Sequence, residues 1–397
     1  MPVRQQSSER VALEFEAATE PMPHHGPDVH VGSAAEFFSG IGLVRVALEA
    51  TGWLVEYSND ISPMKQRIYR ENYGDSDLDT RDIKCVVGNE IPQVDLATAS
   101  FPCIDLSLAG NNEGLNGKHS SLLWEFLRVI DEMKSRRPGR LLIENVPGFV
   151  TSKAGTDLKQ TVMRLNELDY TCDLVICDAR WFVPQSRRRL FIIAWQDGMC
   201  EARIDRASSI LRPAAIEEFI RRNSDLNMAS LECPRIPEDR PELCSAIEHL
   251  DHEDERWWCK ERLGGFLASL SEINTRRLSS MKTANEKTWA TAYRRTRRGQ
   301  SAWEIRGDAI AGCLRTASGG SSKQALVEAG NGAVNVRWMT AIEYSRLQGV
   351  AGYRIPSTVS NNQALFGFGD AVCVPAVEWV IANFINTLRP VNGELAV

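Results

Sequence analysis

At 397 residues the chain has length for about two or three domains and a sizeable core, so it is neither a peptide nor a mini-scaffold. Hydrophobic residues make up 43% and charged residues 25%, far from disordered or collagen-like compositions. Forty-six Lys plus Arg against 52 Asp plus Glu give a net charge of −6, so any DNA-binding face has to be local. No uninterrupted apolar run reaches the ~18 residues of a membrane span, and even Val374 to Ile385 is broken by Glu378 and Asn383. Ten scattered cysteines without a C-x-x-C pair indicate neither a disulfide framework nor a zinc ribbon, and no metal site is expected. Reduced thiols in cytosol or nucleus are the expectation. The opening MPVRQQSSERVALEFEAATEP has no apolar stretch after a basic start, which argues against export.

Residues 1–32 are polar and broken by Pro21, Pro23, Gly26 and Pro27, and read as a flexible leader. AAEFF predicts a strand, LVRVALEATG a helix with Leu43, Val46, Ala47 and Ala50 at helical spacing, and LVEYS a second strand. Ser62 followed by Pro63 predicts a capped helix start, and Gly74 its stop. VDLATAS, LLIENV and LFIIAW predict further strands, with a helix over SLLWEFLRVIDEM. Residues 33–196 therefore read as an open α/β sheet. Beyond Trp195 charges multiply and the alternation is lost, so 197–335 reads as a second, smaller and irregular domain. In it Arg294, Arg295, Arg297, Arg298 and Arg306 interleave with Trp289, Tyr293 and Trp303, either a solvated charged face or a nucleic-acid surface.

EFFSGIGLV sets Gly40 and Gly42 between a predicted strand and helix, where missing β-carbons let a nucleotide-like ligand approach backbone N–H groups. Asp60, 20 residues after Gly40, ends the next strand, where a carboxylate can bind ribose hydroxyls. That pattern also suits NAD, but the dinucleotide fingerprint wants glycine where Arg45 stands. FPCIDLS puts Cys103 beyond a strand at the edge where open α/β sheets bind ligands; it reads as a nucleophile or as an inert buried thiol. Glu144 and Asn145 end another strand, as cap, ion pair or catalyst. In VPQSRRRLFII alternation sends Arg187 and Arg189 to one face and Arg188 to the other, so two guanidiniums could converge on an anion.

These motifs in this order resemble the DNA (cytosine-5) methyltransferase family from about residue 34 to 385: FFSGIG, YSNDIS, RDIK, FPCIDLS, ENVPGF, QSRRR, VRWMTAIEYSRLQGV and FGFGDAV. The resemblance implies a Rossmann-like, mostly parallel sheet that binds S-adenosyl-L-methionine, a target recognition domain, and a return segment, 336–397, whose last helix packs on the catalytic domain. It implies Cys103 as the thiolate that adds to carbon 6 of cytosine, a protonated Glu144 facing ring nitrogen 3, and Arg189 with Arg187 holding base and intermediate. The activated carbon 5 takes the methyl group, giving 5-methylcytosine. Such chemistry requires a base flipped out of duplex DNA, as the general rule for methyltransferases states, with Asn111, Asn112 and Gly114 in a closing lid.

By the same resemblance the cofactor is contacted by Phe38, Gly40, Ile41, Gly42, Asp60, Ile61, Asp82, Ile83, Pro102, Leu122, Asp370 and Ala371. DNA is contacted by Ser107, Arg294, Arg295, Arg297, Arg298, Arg315, Ser318, Gly319 and Gly320, with GCLRTASGGSSKQAL as the base-reading loop or a plain glycine turn. The implied partners are double-stranded DNA and a cognate restriction endonuclease, with the chain a monomer and no membrane involved. The sequence departs from the family pattern at Ile104, Leu106, Ala109, His119, Ser120 and Asp370, the last standing where Asn is usual. A tRNA cytosine-5 methyltransferase of the same fold would carry a Cys-Phe-Thr element, which is not seen, and a non-catalytic regulator would not need Cys103, Glu144 and Arg189 together.

Overall fold

The computed structural model describes residues 30–102, 121–196, 209–297, 300–315 and 323–389. Most of the leader, Cys103, Ile104, Leu106, Ser107 and Ala109, the lid residues Asn111, Asn112 and Gly114, His119, Ser120, Arg298, Ser318, Gly319 and Gly320 lie outside the described residues.

The chain opens with β1 (Gly32–Phe37), α1 (Leu43–Ala50), β2 (Trp53–Asn59), α2 (Pro63–Tyr73), β3 (Leu78–Asp79) and β4 (Leu96–Ala99). It continues with α3 (Ser121–Glu132), β5 (Arg140–Asn145), α4 (Thr156–Glu167), β6 (Tyr170–Asp178) and β7 (Arg188–Gln196). The predicted start and stop of α2 hold to the residue. Ser62 accepts from the Lys65 amide, Pro63 occupies the first turn, and Gly74 at φ 81° closes the end. These strands form one sheet in the order β3-β2-β1-β4-β5-β7-β6, parallel except where β7 runs against both β5 and β6. Sequence order reverses between β1 and β4, and open α/β sheets bind ligands at the carboxyl ends flanking such a switch point.

Strand alternation divides the core between the two sheet faces. Ala34 and Leu142 pack with α1 and the C-terminal helices, while Ala35, Phe37, Leu141 and Ile143 pack with α3 and α4. Each large side chain buried there, such as Trp53 or Phe126, contributes about 1.5–3 kcal/mol.

After α5 (Ala214–Arg222), α6 (Lys260–Ala268) and α7 (Glu272–Lys282) come β8 (Thr288–Arg297), β9 (Gln300–Ile305), β10 (Gln324–Gly330) and β11 (Ala333–Trp338). These four strands make a separate antiparallel sheet in the order β11-β10-β8-β9, a regular core within a stretch whose sequence pattern reads as irregular. Its small side chains Ala290, Ala292, Ala325 and Ala329 pack against Phe266 and Leu278 of the covering helices, with Trp258, Trp303 and Trp338 around them.

The chain returns through α8 (Ala341–Leu347), α9 (Asn361–Asp370) and α10 (Val374–Asn383). α10 packs against α1, bringing the end of the chain back to the first sheet. Within Asn361–Thr387 the most apolar 18 residues are 67% buried, as a core element is.

Candidate active site

The loop after β1 is built from unusual backbone. Phe38, Gly40 and Gly42 all have positive φ, at 57°, 62° and 85°. A non-glycine residue in that region costs roughly 1–3 kcal/mol and persists only where its surroundings impose it. Here Asp60 supplies the constraint, accepting from the Gly40 amide at 2.9 Å and from the Ser62 amide at 2.7 Å. The carboxylate expected on a ribose is thus also the staple joining the glycine loop to α2. A β-carbon at Gly40 would meet nothing closer than 3.9 Å, so the loop has open space above it, whereas one at Gly42 would strike Tyr73 and Tyr69. The Ser39 and Thr98 hydroxyls, on the loop and near the end of β4, are buried without a hydrogen-bond partner among the described residues. An open cradle, a carboxylate and unpaired hydroxyls at the switch point fit a nucleoside cofactor with polar substituents.

The other expected cofactor residues differ in exposure. Ile41 and Ile83 are buried; Ile41 packs on Gly367 of α9 and its carbonyl accepts from Tyr353. Ile61 is 58% exposed beside Asp60, while Asp82 caps the turn at Lys84 with a 3.0 Å hydrogen bond. Pro102, Leu122 and Ala371 are half-buried.

Glu144 and Arg189 meet at the adjoining edge. β7 is antiparallel to β5 and sets Phe191 opposite Glu144, so Arg189, two residues before Phe191, stands diagonally across from Glu144 on the same face. Arg189 Nε donates to Glu144 Oε1 at 2.8 Å, and both side chains are largely buried. Asn145 faces the other way: its amide donates to the Phe101 carbonyl at 3.3 Å and its oxygen accepts from the Val146 amide at 2.8 Å. That fixes the chain just before Pro102 and Cys103.

Arg187 lies beside the same pair, buried against two later segments of the chain. Its guanidinium is buried and donates to the carbonyls of Leu314, at 2.8 Å, Gly369, at 3.3 Å, and Ala371. Burial and the neighbouring Arg189 pull its pKa down. Its two terminal nitrogens tie carbonyls of two distant segments to the start of β7, while Nε has no hydrogen-bond partner among the described residues. Arg188 is exposed, in keeping with the alternation.

Three residues at this site escaped the sequence reasoning. Gln185 is buried, donates to the Leu347 carbonyl at 2.7 Å and accepts from the Leu314 amide at 3.2 Å; it opens the QSRRR motif but suggested no role. Cys313 Sγ lies 3.5 Å from Arg187 and 4.0 Å from Arg189. Burial acts to raise its pKa, but Arg187, Arg189 and Arg315 outweigh it and the thiol is lowered, whereas burial pushes nearby Cys373 up to about 12. Lys65, in the first turn of α2, carried no sequence signal; it pairs with Asp370 at 2.9 Å.

On the second sheet Arg294 and Arg295 are exposed on β8. Arg295 lies 5.5 Å from the Tyr293 ring and 3.8 Å from Glu304. Arg297 ends the same strand, and Arg315 is exposed where the chain leaves Cys313. Among the described residues no group of three or more His, Cys, Asp or Glu could hold a metal ion.

A family model for C-5 cytosine-specific DNA methylases matches residues 32–386, spanning both sheets and the returning helices. The chain belongs to that family. The chain is 32% identical over 163 residues to the type II methyltransferase M.DsaV of Dactylococcopsis salina, covering 41% of this chain and 45% of that relative. With M1.ScrFI of Lactococcus lactis subsp. cremoris, another type II methyltransferase, identity is 25% over 89% of this chain and 78% of the other. The fold resembles a crystal structure of Spodoptera frugiperda DNMT2, at 17% identity with a TM-score of 0.59, covering 88% of this chain and 98% of that one. The match thus spans less than half of M.DsaV but most of M1.ScrFI.

Proposed function

We propose that this methylase transfers a methyl group from S-adenosyl-L-methionine to carbon 5 of a cytosine flipped out of double-stranded DNA, as the modification enzyme of a restriction-modification pair. The observation that carries the reading is the Glu144–Arg189 pair, on the same sheet edge as the glycine loop and beside the chain entering Cys103.

Cytosine carbon 5 is a weak nucleophile until something adds at carbon 6. In this reading the Cys103 thiolate adds there, the ring electrons move toward nitrogen 3, and Glu144 supplies the proton or hydrogen bond that meets them. Arg189 orients Glu144 and carries positive charge against the base, while Arg187 holds Leu314, Gly369 and Ala371 around the pocket. When bound, the cofactor supplies an electrophilic methyl group on a sulfonium. Loss of the carbon 5 proton then expels the thiolate and restores the ring. The glycine loop, Asp60, Ile61, Asp82, Pro102, Leu122 and Asp370 would hold the cofactor. Ser107, Arg294, Arg295, Arg297, Arg298, Arg315, Ser318, Gly319 and Gly320 would face DNA. We further assign the chain to the cytoplasm with nucleoid DNA, as a monomer working opposite a cognate endonuclease.

The test is covalent trapping. A duplex containing 5-fluorocytosine at the methylation site, found by bisulfite sequencing of DNA from cells expressing the chain, is incubated with S-adenosylmethionine. A stable adduct at Cys103 is expected, and its absence overturns the mechanism. Tritium transfer to tRNA but not to duplex DNA would move the substrate to RNA.

A further inference from the structure

Lys65 and Asp370 form an ion pair over the glycine loop, although they come from opposite ends of the chain. Lys65 rises from the first turn of α2, five residues beyond Asp60, and its Cδ lies 4.0 Å from where a Gly40 β-carbon would stand. Asp370 ends α9, whose Gly367 abuts Ile41 of the same loop. Nζ and Oδ2 are 2.9 Å apart, with the side chains 17% and 32% exposed, so the pair is partly desolvated yet open on one side. Burial works against the ammonium, but Asp370 and Asp60 outweigh it and hold the charge on Lys65 firmly. Asp60, Asp370 and Lys65 together leave one net negative charge at the loop. A sulfonium-bearing amino acid has one net positive charge, from its sulfonium and ammonium less its carboxylate.

We propose that Lys65 binds the α-carboxylate, and Asp370 the α-ammonium, of the amino-acid half of the cofactor. This rests on the cofactor reading above and adds to it two residues that act as one unit. An ion pair meeting a zwitterion exchanges one partner for two without leaving a charge unpaired, which a lone Lys or a lone Asp could not do. It also accounts for Asp370 where the family pattern has Asn: a lysine beside it makes a full negative charge tolerable.

The experiment is calorimetric titration of the full chain with three ligands. They are S-adenosylhomocysteine, its decarboxylated form S-adenosyl-3-thiopropylamine, and its deaminated form S-adenosyl-4-thiobutyrate. Wild type should bind the first most tightly. Lys65→Met should weaken the homocysteine and thiobutyrate ligands about tenfold or more, as loss of a charge-assisted hydrogen bond does, and spare the thiopropylamine. Asp370→Asn should weaken the thiopropylamine and spare the thiobutyrate. In Lys65→Met/Asp370→Asn both end-group contacts are lost, so S-adenosylhomocysteine should bind no more tightly than to Lys65→Met, and the three ligands should bind with similar affinity. Urea midpoints identify any variant that loses binding by unfolding, and Lys65→Arg, which keeps the charge, then takes the place of Lys65→Met with a smaller loss expected. If folded Lys65→Met loses affinity for all three ligands equally, or for none, the pairing is overturned. If wild type binds none of the three, the cofactor reading falls first.

Discussion

Glu144 and Arg189 lie diagonally across β5 and β7, with Nε 2.8 Å from Oε1, so neither can be replaced without changing what its partner presents to the pocket. Glu144→Gln keeps a hydrogen-bond acceptor for Arg189 but removes the exchangeable proton. Methyl transfer to duplex DNA should fall by about 10²- to 10⁴-fold, the usual contribution of general acid–base catalysis. Affinity for S-adenosylhomocysteine should stay within a factor of two. Tritium incorporation and calorimetry check both, and retained activity would remove Glu144 from the chemistry.

Arg187 is expected to matter for stability before it matters for turnover. Arg187→Met removes a donor from the carbonyls of Leu314, Gly369 and Ala371, of which Ala371 keeps Gln348 Nε2 and Leu314 only the weak Cys313 thiol. At about 1–3 kcal/mol for an unsatisfied buried group, partly offset by relief of the arginine's own desolvation, the loss should be roughly 2–4 kcal/mol. Urea unfolding reads it as a lower midpoint at unchanged slope.

Cys313 should behave unlike the other buried thiols. Its pKa is lowered by three arginines, while Cys177 and Cys373 are raised by burial. Iodoacetamide labelling followed by peptide mass spectrometry should modify Cys313 at a lower pH than either. The advantage should shrink in Arg189→Met, because the thiolate loses one of its cations.

Glu378 gives a pH dependence of stability. Burial raises its pKa above the ordinary value, so the folded form holds the proton more tightly than the unfolded one. Its cost is absent below the unfolded value, near pH 4.3 for glutamate, grows as pH rises from there to the folded value, and is complete above it. Glu378→Gln should therefore raise the unfolding free energy at pH 7 by less than about 1 kcal/mol, read as a higher urea midpoint, and leave it unchanged below about pH 4.

The first sheet was legible because its signals are local. Ser62, Pro63 and Gly74 bound α2 by cap chemistry alone, and LLIENV and LFIIAW are apolar runs of strand length. The hairpin of β8 and β9 was not. One face of β8 is Ala290 and Ala292 and the other is Trp289, Thr291 and Tyr293, so both lack the apolar-polar contrast that announces a strand, and the arginines drew the reading toward a surface patch. Glu144 and Arg189 were named from their motifs, and the antiparallel return of β7 that joins them is a matter of topology. Lys65 with Asp370, and Cys313 with Arg187, are pairs between distant segments. No periodicity or spacing within one stretch encodes them.

The pins at Leu314 bear on how such an enzyme could change its sequence preference. Gln185 holds the amide of that residue and Arg187 its carbonyl, while Gln324 bonds to both the amide and the carbonyl of Gly312. The described residues on either side of 316–322, Leu314 and Gln324, are thereby held in place. Grafting a recognition loop from a relative should succeed when the splice points fall inside those tethers, and should cripple turnover when they fall outside, whatever letters the new loop reads.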